Sequence, residues 1–207
     1  MSKLLYLQAS PRKTRSWSIR VADALAEAYR QLHGPASVET VNLFDAPLPE
    51  LNEQMLANKY AVLHGQEVTA AQRDAWRAVE LVIEQFTKAE RYLLAVPMWN
   101  FGIPYRLKHW LDVVIQPGYT FQVTETGYQG LLDGRPAVVV YSSGGDYSEA
   151  PAADYDMQKP YLELTLGFMG VDVVDRLVIA PTLASGEQAE QTAAKLADQA
   201  RELAGRL

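Results

Sequence analysis

Five short apolar runs, each separated from the next by a stretch with helical spacing, constrain this chain more than any other feature. Residues 4–9, 92–96 and 137–141 are nearly continuous apolar runs of strand length, the pattern of strands buried on both faces. Residues 38–43 and 171–179 are strand-like with interspersed polar positions, which suits the edges of a sheet. Between the first two runs, Ile19, Ala22, Leu25, Tyr29 and Leu32 recur at helical spacing, and Gly34-Pro35 ends the stretch. A weaker helix is expected over residues 51–63, after Pro47 and Pro49. A better one starts at Thr69, where Thr69-Ala70-Ala71-Gln72 has the form of a capping box and Trp76, Val79, Ile83 and Phe86 share a face. Pro104 opens a helix whose stripe is Leu107, Leu111, Val114 and Ile115. Further helices are expected over residues 155–166 and from a Ser185/Gln188 cap to the C-terminus. Residues 116–134 read as an irregular stretch or small hairpin.

Strands separated by helices make an α/β protein: a doubly wound, five-stranded parallel sheet covered on both faces. Five strands favour the flavodoxin-like order 2-1-3-4-5, which puts the two polar runs at the edges. A chain of 207 residues without repeat or linker suits one domain over residues 1–207. In this order ligands bind beyond the carboxyl ends of strands one, three and four, so three loops carry the functional question.

The first loop, Ser10-Pro11-Arg12-Lys13-Thr14-Arg15-Ser16-Trp17-Ser18, is a run of hydroxyls and cations leading into a helix. A phosphate needs donors and positive potential, and a helix N-terminus supplies both. Composition alone favours a simple helix cap on a solvated loop. The position after strand one shifts the reading to phosphate binding. The second loop, Pro97-Met98-Trp99-Asn100-Phe101-Gly102-Ile103-Pro104, gathers apolar and flat groups with an amide, as a planar cofactor ring requires. Burial of Met98, Trp99 and Phe101 in the core would explain each singly, and explains all of them together less well. The third loop, Ser142-Ser143-Gly144-Gly145-Asp146-Tyr147-Ser148, lets the backbone approach a ligand because glycine has no Cβ.

Several classes are disfavoured. No Gly-x-x-x-x-Gly-Lys, Gly-x-Gly-x-x-Gly or Gly-x-Ser-x-Gly motif is present, which argues against an NTPase, a Rossmann dinucleotide site and a nucleophile elbow. A formal charge of −6 argues against nucleic-acid binding. With no cysteine, thiolate and iron–sulfur chemistry are excluded, and a reducing cytoplasm fits. No signal-peptide core and no apolar run of ~20 residues is seen, so no membrane partner is expected. His33, His64 and His109 lack metal-ligand spacing, and His109 reads as a surface or packing residue. Asp154 and Asp156 read as solvation of a polar loop.

With the loops in view, the chain resembles the FMN-dependent NADH-azoreductases, also described as NADH:quinone oxidoreductases. Members carry Ser-Pro-Arg after strand one and Met-Tyr-Asn-Phe-Gly after strand three. Here these stand as Ser10-Pro11-Arg12 and Met98-Trp99-Asn100-Phe101-Gly102, followed by Ile103-Pro104, Leu107-Lys108, Asp112, Gly118, Thr120-Phe121, Gly130-Leu131-Leu132 and Ser142-Ser143-Gly144-Gly145. The resemblance spans nearly the whole length. It implies FMN as bound cofactor, with Ser10, Ser16, Trp17 and Ser18 at its phosphate. It also implies Met98, Trp99, Asn100, Phe101, Ser142, Ser143, Gly144 and Gly145 along the isoalloxazine. It further implies NADH or NADPH as co-substrate, a quinone or azo compound as acceptor, no catalytic side chain beyond the flavin, and a homodimer whose partner completes the pocket. Tyr119, Phe121, Tyr128, Tyr147 and Tyr155, in irregular loops near the expected site, suit such an interface. Trp99 stands where many members have tyrosine, and Ser143 where many have arginine; the second change bears on acceptor and nucleotide choice.

Two other readings share the fold. A flavodoxin-type electron carrier would be shorter and acidic around the flavin, whereas this loop holds Arg12, Lys13 and Arg15. A response regulator needs clustered acids after strand one, and Gln8, Ala9 and Ser10 are not acids. A non-catalytic binding module would take up no FMN.

Overall fold

The computed structural model describes residues 3–63 and 66–207, so His64 lies outside the described residues. The elements run β1 (Leu4–Gln8), α1 (Trp17–His33), β2 (Val38–Asn42), α2 (Glu53–Leu63), α3 (Ala70–Lys88), β3 (Arg91–Pro97), α4 (Tyr105–Val114), β4 (Phe121–Thr124), β5 (Gly127–Gly130), β6 (Arg135–Ser142), α5 (Gln158–Phe168), β7 (Val171–Ile179) and α6 (Gly186–Leu203). Five strands form one parallel sheet in the order β2-β1-β3-β6-β7. Counting only these five along the chain, this is the expected 2-1-3-4-5. β4 and β5 pair separately as the antiparallel hairpin.

Successive strand side chains point to opposite faces, so each central strand feeds two cores. On one face Leu5, Leu7, Leu94, Val96, Val139 and Tyr141 pack against Phe86 of α3, Leu107, Trp110 and Leu111 of α4, and Leu162 and Leu166 of α5. On the other, Leu4, Tyr6, Leu93, Ala95, Val138 and Val140 meet Ile19, Ala22, Leu25 and Tyr29 of α1 and Ala193 and Ala200 of α6. A third cluster, Trp76, Val79, Ile83 and Val113, seats α3 on α4 with Leu51 and Met55 packed against it. No helix among the described residues is long and apolar enough to cross a membrane.

Local signals place several ends. The Thr69 hydroxyl accepts from the Gln72 amide at 3.2 Å, and Gln72 Oε1 accepts from the Thr69 amide at 2.8 Å, completing the capping box of α3. Ser185 caps α6 through the Gln188 amide at 3.3 Å. Gly34 leaves α1 at a φ of +94°, which glycine adopts without strain. Gly130 has no alternative: a Cβ there would sit 2.3 Å from the Gly170 nitrogen, where the hairpin crosses the α5–β7 turn.

Two expectations are corrected. The helix expected over residues 155–166 runs over Gln158–Phe168, and Tyr155 ends a short 3-10 turn instead. The cause is Asp156, whose Oδ1 accepts from the amides of Gln158 (3.0 Å) and Lys159 (3.1 Å) and so starts the helix there. Asp156 therefore does not solvate a loop: it is buried, and Lys159 pairs with its second oxygen.

Leu94 sits at the centre of the larger core, fully buried between β1 and β6. Leu94→Ala should lower unfolding free energy by about 2–5 kcal/mol in urea titrations, the range for a cavity in a rigid core. A loss below about 1 kcal/mol would contradict the packing described.

Candidate functional site

Parallel strands end at one edge, and the register keeps those ends level. Gln8 pairs with Ala95, Pro97 with Ser142, and Ser142 with Ile179. Above them lies a cleft lined by Ser10, Arg12, Ser16, Trp17, Pro97, Met98, Trp99, Ser142, Ser143, Gly144, Thr182 and Leu183. The three loops named from sequence thus meet in one place.

At one end of the cleft is the start of α1. The Arg20 amide donates to the Ser16 carbonyl, closing the first helical turn, so the amides of residues 17–19 precede any helical acceptor. Ser16 occupies the N-cap position but makes no capping bond. Its hydroxyl lies 3.2 Å from that of Ser18, and both side chains are buried. The Ser10 hydroxyl is buried too and accepts from the Arg12 amide at 3.3 Å. Uncapped amides, the positive end of the helix dipole and serine hydroxyls together suit a phosphate-sized anion. Two neighbouring cations are otherwise engaged: Lys13 pairs with Asp45 at 3.0 Å, and Arg20 holds Glu190 with two bonds while lying over the Trp17 ring. Arg12 is the cation that lines the cleft.

The middle of the cleft comes from the loop after β3. The Met98 amide donates to the Ser142 carbonyl at 2.7 Å, tying this loop to the end of β6. Trp99 and Gly102 exchange two backbone bonds of 2.9 and 3.0 Å around Asn100 and Phe101, whose φ values are +46° and +69°. Asparagine tolerates that region; for phenylalanine it costs on the order of 1–2 kcal/mol. The turn is held from outside. The Phe101 carbonyl accepts from the Met157 amide at 3.0 Å, and its ring stacks on Tyr155 at 5.5 Å. Trp99 packs at 5.6 Å from Phe44. Beneath, the buried Gln158 side chain donates to the Val96 carbonyl at 3.0 Å.

The far side is the loop after β6. The Ser143 amide donates to the Ile179 carbonyl, and the Ser143 carbonyl accepts from both the amide and the hydroxyl of Thr182 at 3.0 Å. The Leu183 amide donates to the Gly144 carbonyl at 3.2 Å, laying the leucine side chain where a Cβ on Gly144 would stand.

Of the twelve expected site residues, Ser10, Ser16, Trp17, Met98, Trp99, Ser142, Ser143 and Gly144 line the cleft. Ser18 lies directly behind Ser16. Asn100, Phe101 and Gly145 stand beyond its rim, in the same loops. Thr182 and Leu183 fall outside the three loops that the sheet order names. The signal for them is their place just past strand five, whose end is level with that of β6. His109 lies away from the cleft, with Nε2 2.8 Å from the Pro49 carbonyl, as a packing residue would.

Comparison with known proteins agrees with this fold. A family model described as flavodoxin-like fold matches residues 2–204. A Desulfotalea psychrophila protein named FMN-dependent NADH:quinone oxidoreductase is 41% identical over 208 residues, covering 100% of this chain and 98% of the relative. A Nitratidesulfovibrio vulgaris protein of the same name is 43% identical over 206 residues, covering 99% of each. Among solved structures, a Bacillus anthracis FMN-dependent NADH-azoreductase in complex with FMN aligns with a TM-score of 0.88 at 29% identity, over 99% of this chain and 100% of that one. A second Bacillus anthracis azoreductase gives a TM-score of 0.90 at 25% identity over the full length of both chains. The chain belongs to the flavodoxin-like family whose curated relatives are the FMN-dependent NADH:quinone oxidoreductases.

Proposed function

We propose that residues 1–207 form one FMN-binding, cytoplasmic enzyme that passes two electrons from NADH or NADPH to quinone or azo acceptors. The observation that carries this reading is the uncapped start of α1. It faces buried serine hydroxyls at the same strand ends where Met98 and Trp99 present apolar and flat surface. That donor set fits a phosphate at one end of a ligand and a planar ring at the other. The names of the relatives point to the same cofactor and donor.

When bound, FMN supplies the hydride-accepting and hydride-donating ring that no side chain here offers. The chain's own residues bind, orient and shield. Ser10, Ser16 and the first amides of α1 would hold the phosphate, with Ser18 supporting Ser16 from behind. Met98, Trp99, Asn100 and Phe101 would flank the isoalloxazine from one loop, and Ser142, Ser143, Gly144 and Gly145 from the other. Main-chain donors in these loops would stabilise negative charge on the reduced ring. Leu183 and Trp99 would exclude water from its edge. Donor and acceptor would use this cleft in turn, because the Gly-rich dinucleotide fingerprint of a second nucleotide site is missing from the chain.

The cofactor claim is tested by titration. The protein should bind FMN far more tightly than riboflavin, and Ser16→Ala should weaken FMN binding by about 1.5–3 kcal/mol, the range for hydrogen bonds to a charged group. Equal affinity for FMN and riboflavin would remove the phosphate assignment.

The enzyme claim is tested by kinetics. Steady-state rates with a quinone should give parallel double-reciprocal lines, the pattern of alternating occupancy. Anaerobic mixing with NADH or NADPH should bleach the flavin on the timescale of turnover. Failure of both nucleotides to do so would leave an electron carrier.

The same reading includes a homodimer. Tyr155, at the end of the 3-10 turn beside Phe101, is 58% exposed on the cleft side, and large aromatics are enriched in interfaces. Tyr128, expected in a loop near the site, lies instead on β5 against Phe168, at the other end of the sheet. Sedimentation velocity should show a dimer; a monomer with full activity would overturn it.

A further inference from the structure

Asn42, the last residue of β2, uses every hydrogen-bonding atom of its side chain. Its Nδ2 donates to Gln8 Oε1 and to the Ser10 carbonyl, each at 3.3 Å. Its Oδ1 accepts from the Phe44 amide at 3.0 Å. Gln8, the last residue of β1, reaches on through Nε2 to Asp23 Oδ1 of α1 at a long 3.5 Å. The Tyr6 hydroxyl donates to that same oxygen at 2.9 Å. A line of polar contacts therefore runs from the middle of α1, across the ends of β1 and β2, to the peptide that joins Ser10 to Pro11.

That peptide is the root of the first loop, and it has few other restraints. Pro11 has no N–H to tie it to a neighbour. The Ala9 amide still bonds to the Ala95 carbonyl, so the sheet ladder stops just before Ser10. The Asn42 side chain is what takes up the Ser10 carbonyl next. Rotating this peptide would turn the buried Ser10 hydroxyl, and the Arg12 amide that donates to it, away from the cleft.

We propose that Asn42 is a positioning residue for the anion-binding loop. By holding the Ser10 carbonyl, it aims the Ser10 hydroxyl and the α1 start at the terminal phosphate of the cofactor. This rests on the reading that the cleft takes FMN. The side chain must donate twice and accept once at that length. Aspartate keeps the shape and the Phe44 bond but loses both donors, and leucine loses all three bonds. A residue that only braced the turn after β2 would act through the Phe44 arm and would be indifferent to the ligand's phosphate.

The test is fluorescence titration of the full chain, stripped of flavin, with FMN and separately with riboflavin. Wild type, N42L and N42D are compared, N42D also at ~1 M salt, where the Debye length of ~3 Å screens its added charge. Both variants should weaken FMN binding roughly five- to tenfold, the loss of about one positioned hydrogen bond, while riboflavin binding changes less than about twofold. N42D retains the Phe44 bond and so tests the proposal even where N42L fails to fold. An unchanged preference for FMN over riboflavin in the variants, whether both affinities hold or both fall together, overturns the positioning role. If wild type itself shows no such preference, the phosphate reading has failed and this role with it.

Discussion

Backbone pairing between parallel strands sets everything else in this molecule. A parallel sheet is covered by helices on both faces, because each connection must return over a face before the next strand begins. Here α1 and α6 take one face and α3, α4 and α5 the other, and the strands between them are almost wholly apolar. The same geometry brings the carboxyl ends of β1, β3, β6 and β7 to one edge in level register. Polar and flexible residues are expelled from the buried strands to that edge. The cleft is therefore a consequence of the sheet's direction, and its chemistry is whatever the loops carry there.

The loops are held by bonds that do not belong to any one of them. The Met98 amide bonds to the end of β6, the Ser143 carbonyl takes Thr182, and the Phe101 carbonyl takes Met157. The left-handed backbone at Phe101 survives because the two Trp99–Gly102 bonds and the contact from the start of α5 over-determine it. Gln158 and Asp156 serve this clamp from below, one by satisfying the Val96 carbonyl and the other by starting α5 at the right residue. On the opposite side, Arg106 donates to the carbonyls of Leu43 and Ala46 and fixes the turn after β2, next to Phe44 and Trp99. Bonds of this kind fix the loops relative to one another, and loops already fixed reduce the ordering cost of binding.

Charge is arranged with similar economy. The chain is acidic overall, yet the loop after β1 carries Arg12, Lys13 and Arg15. Lys13 pairs with Asp45 and the following Arg20 with Glu190, while Arg12 lines the cleft itself. Away from the site, Tyr141 on β6 is pushed well above its ordinary pKa by burial and by Glu163 beside it. It stays a neutral donor to that carboxylate, which Arg176 also binds through two bonds. This group braces α5 against β7 and takes no part in the cleft.

Residue pattern alone determined the five strands, their order, the caps at Thr69 and Ser185 and the three loops, since each depends on neighbours within a few positions or on the number of strand–helix units. It did not determine what Asp156 does. An aspartate that solvates a loop and one that caps a buried helix look alike locally, and differ only in what packs above them. Nor did it reach Thr182 and Leu183, which enter the cleft because Ile179 lies level with Ser142 in the sheet. The bonds from Asn42 to Ser10 and from Gln158 to Val96 join residues 32 and 62 positions apart. Such contacts carry no periodic or motif signal, because they arise only when the strands are laid side by side. Tertiary structure decided them.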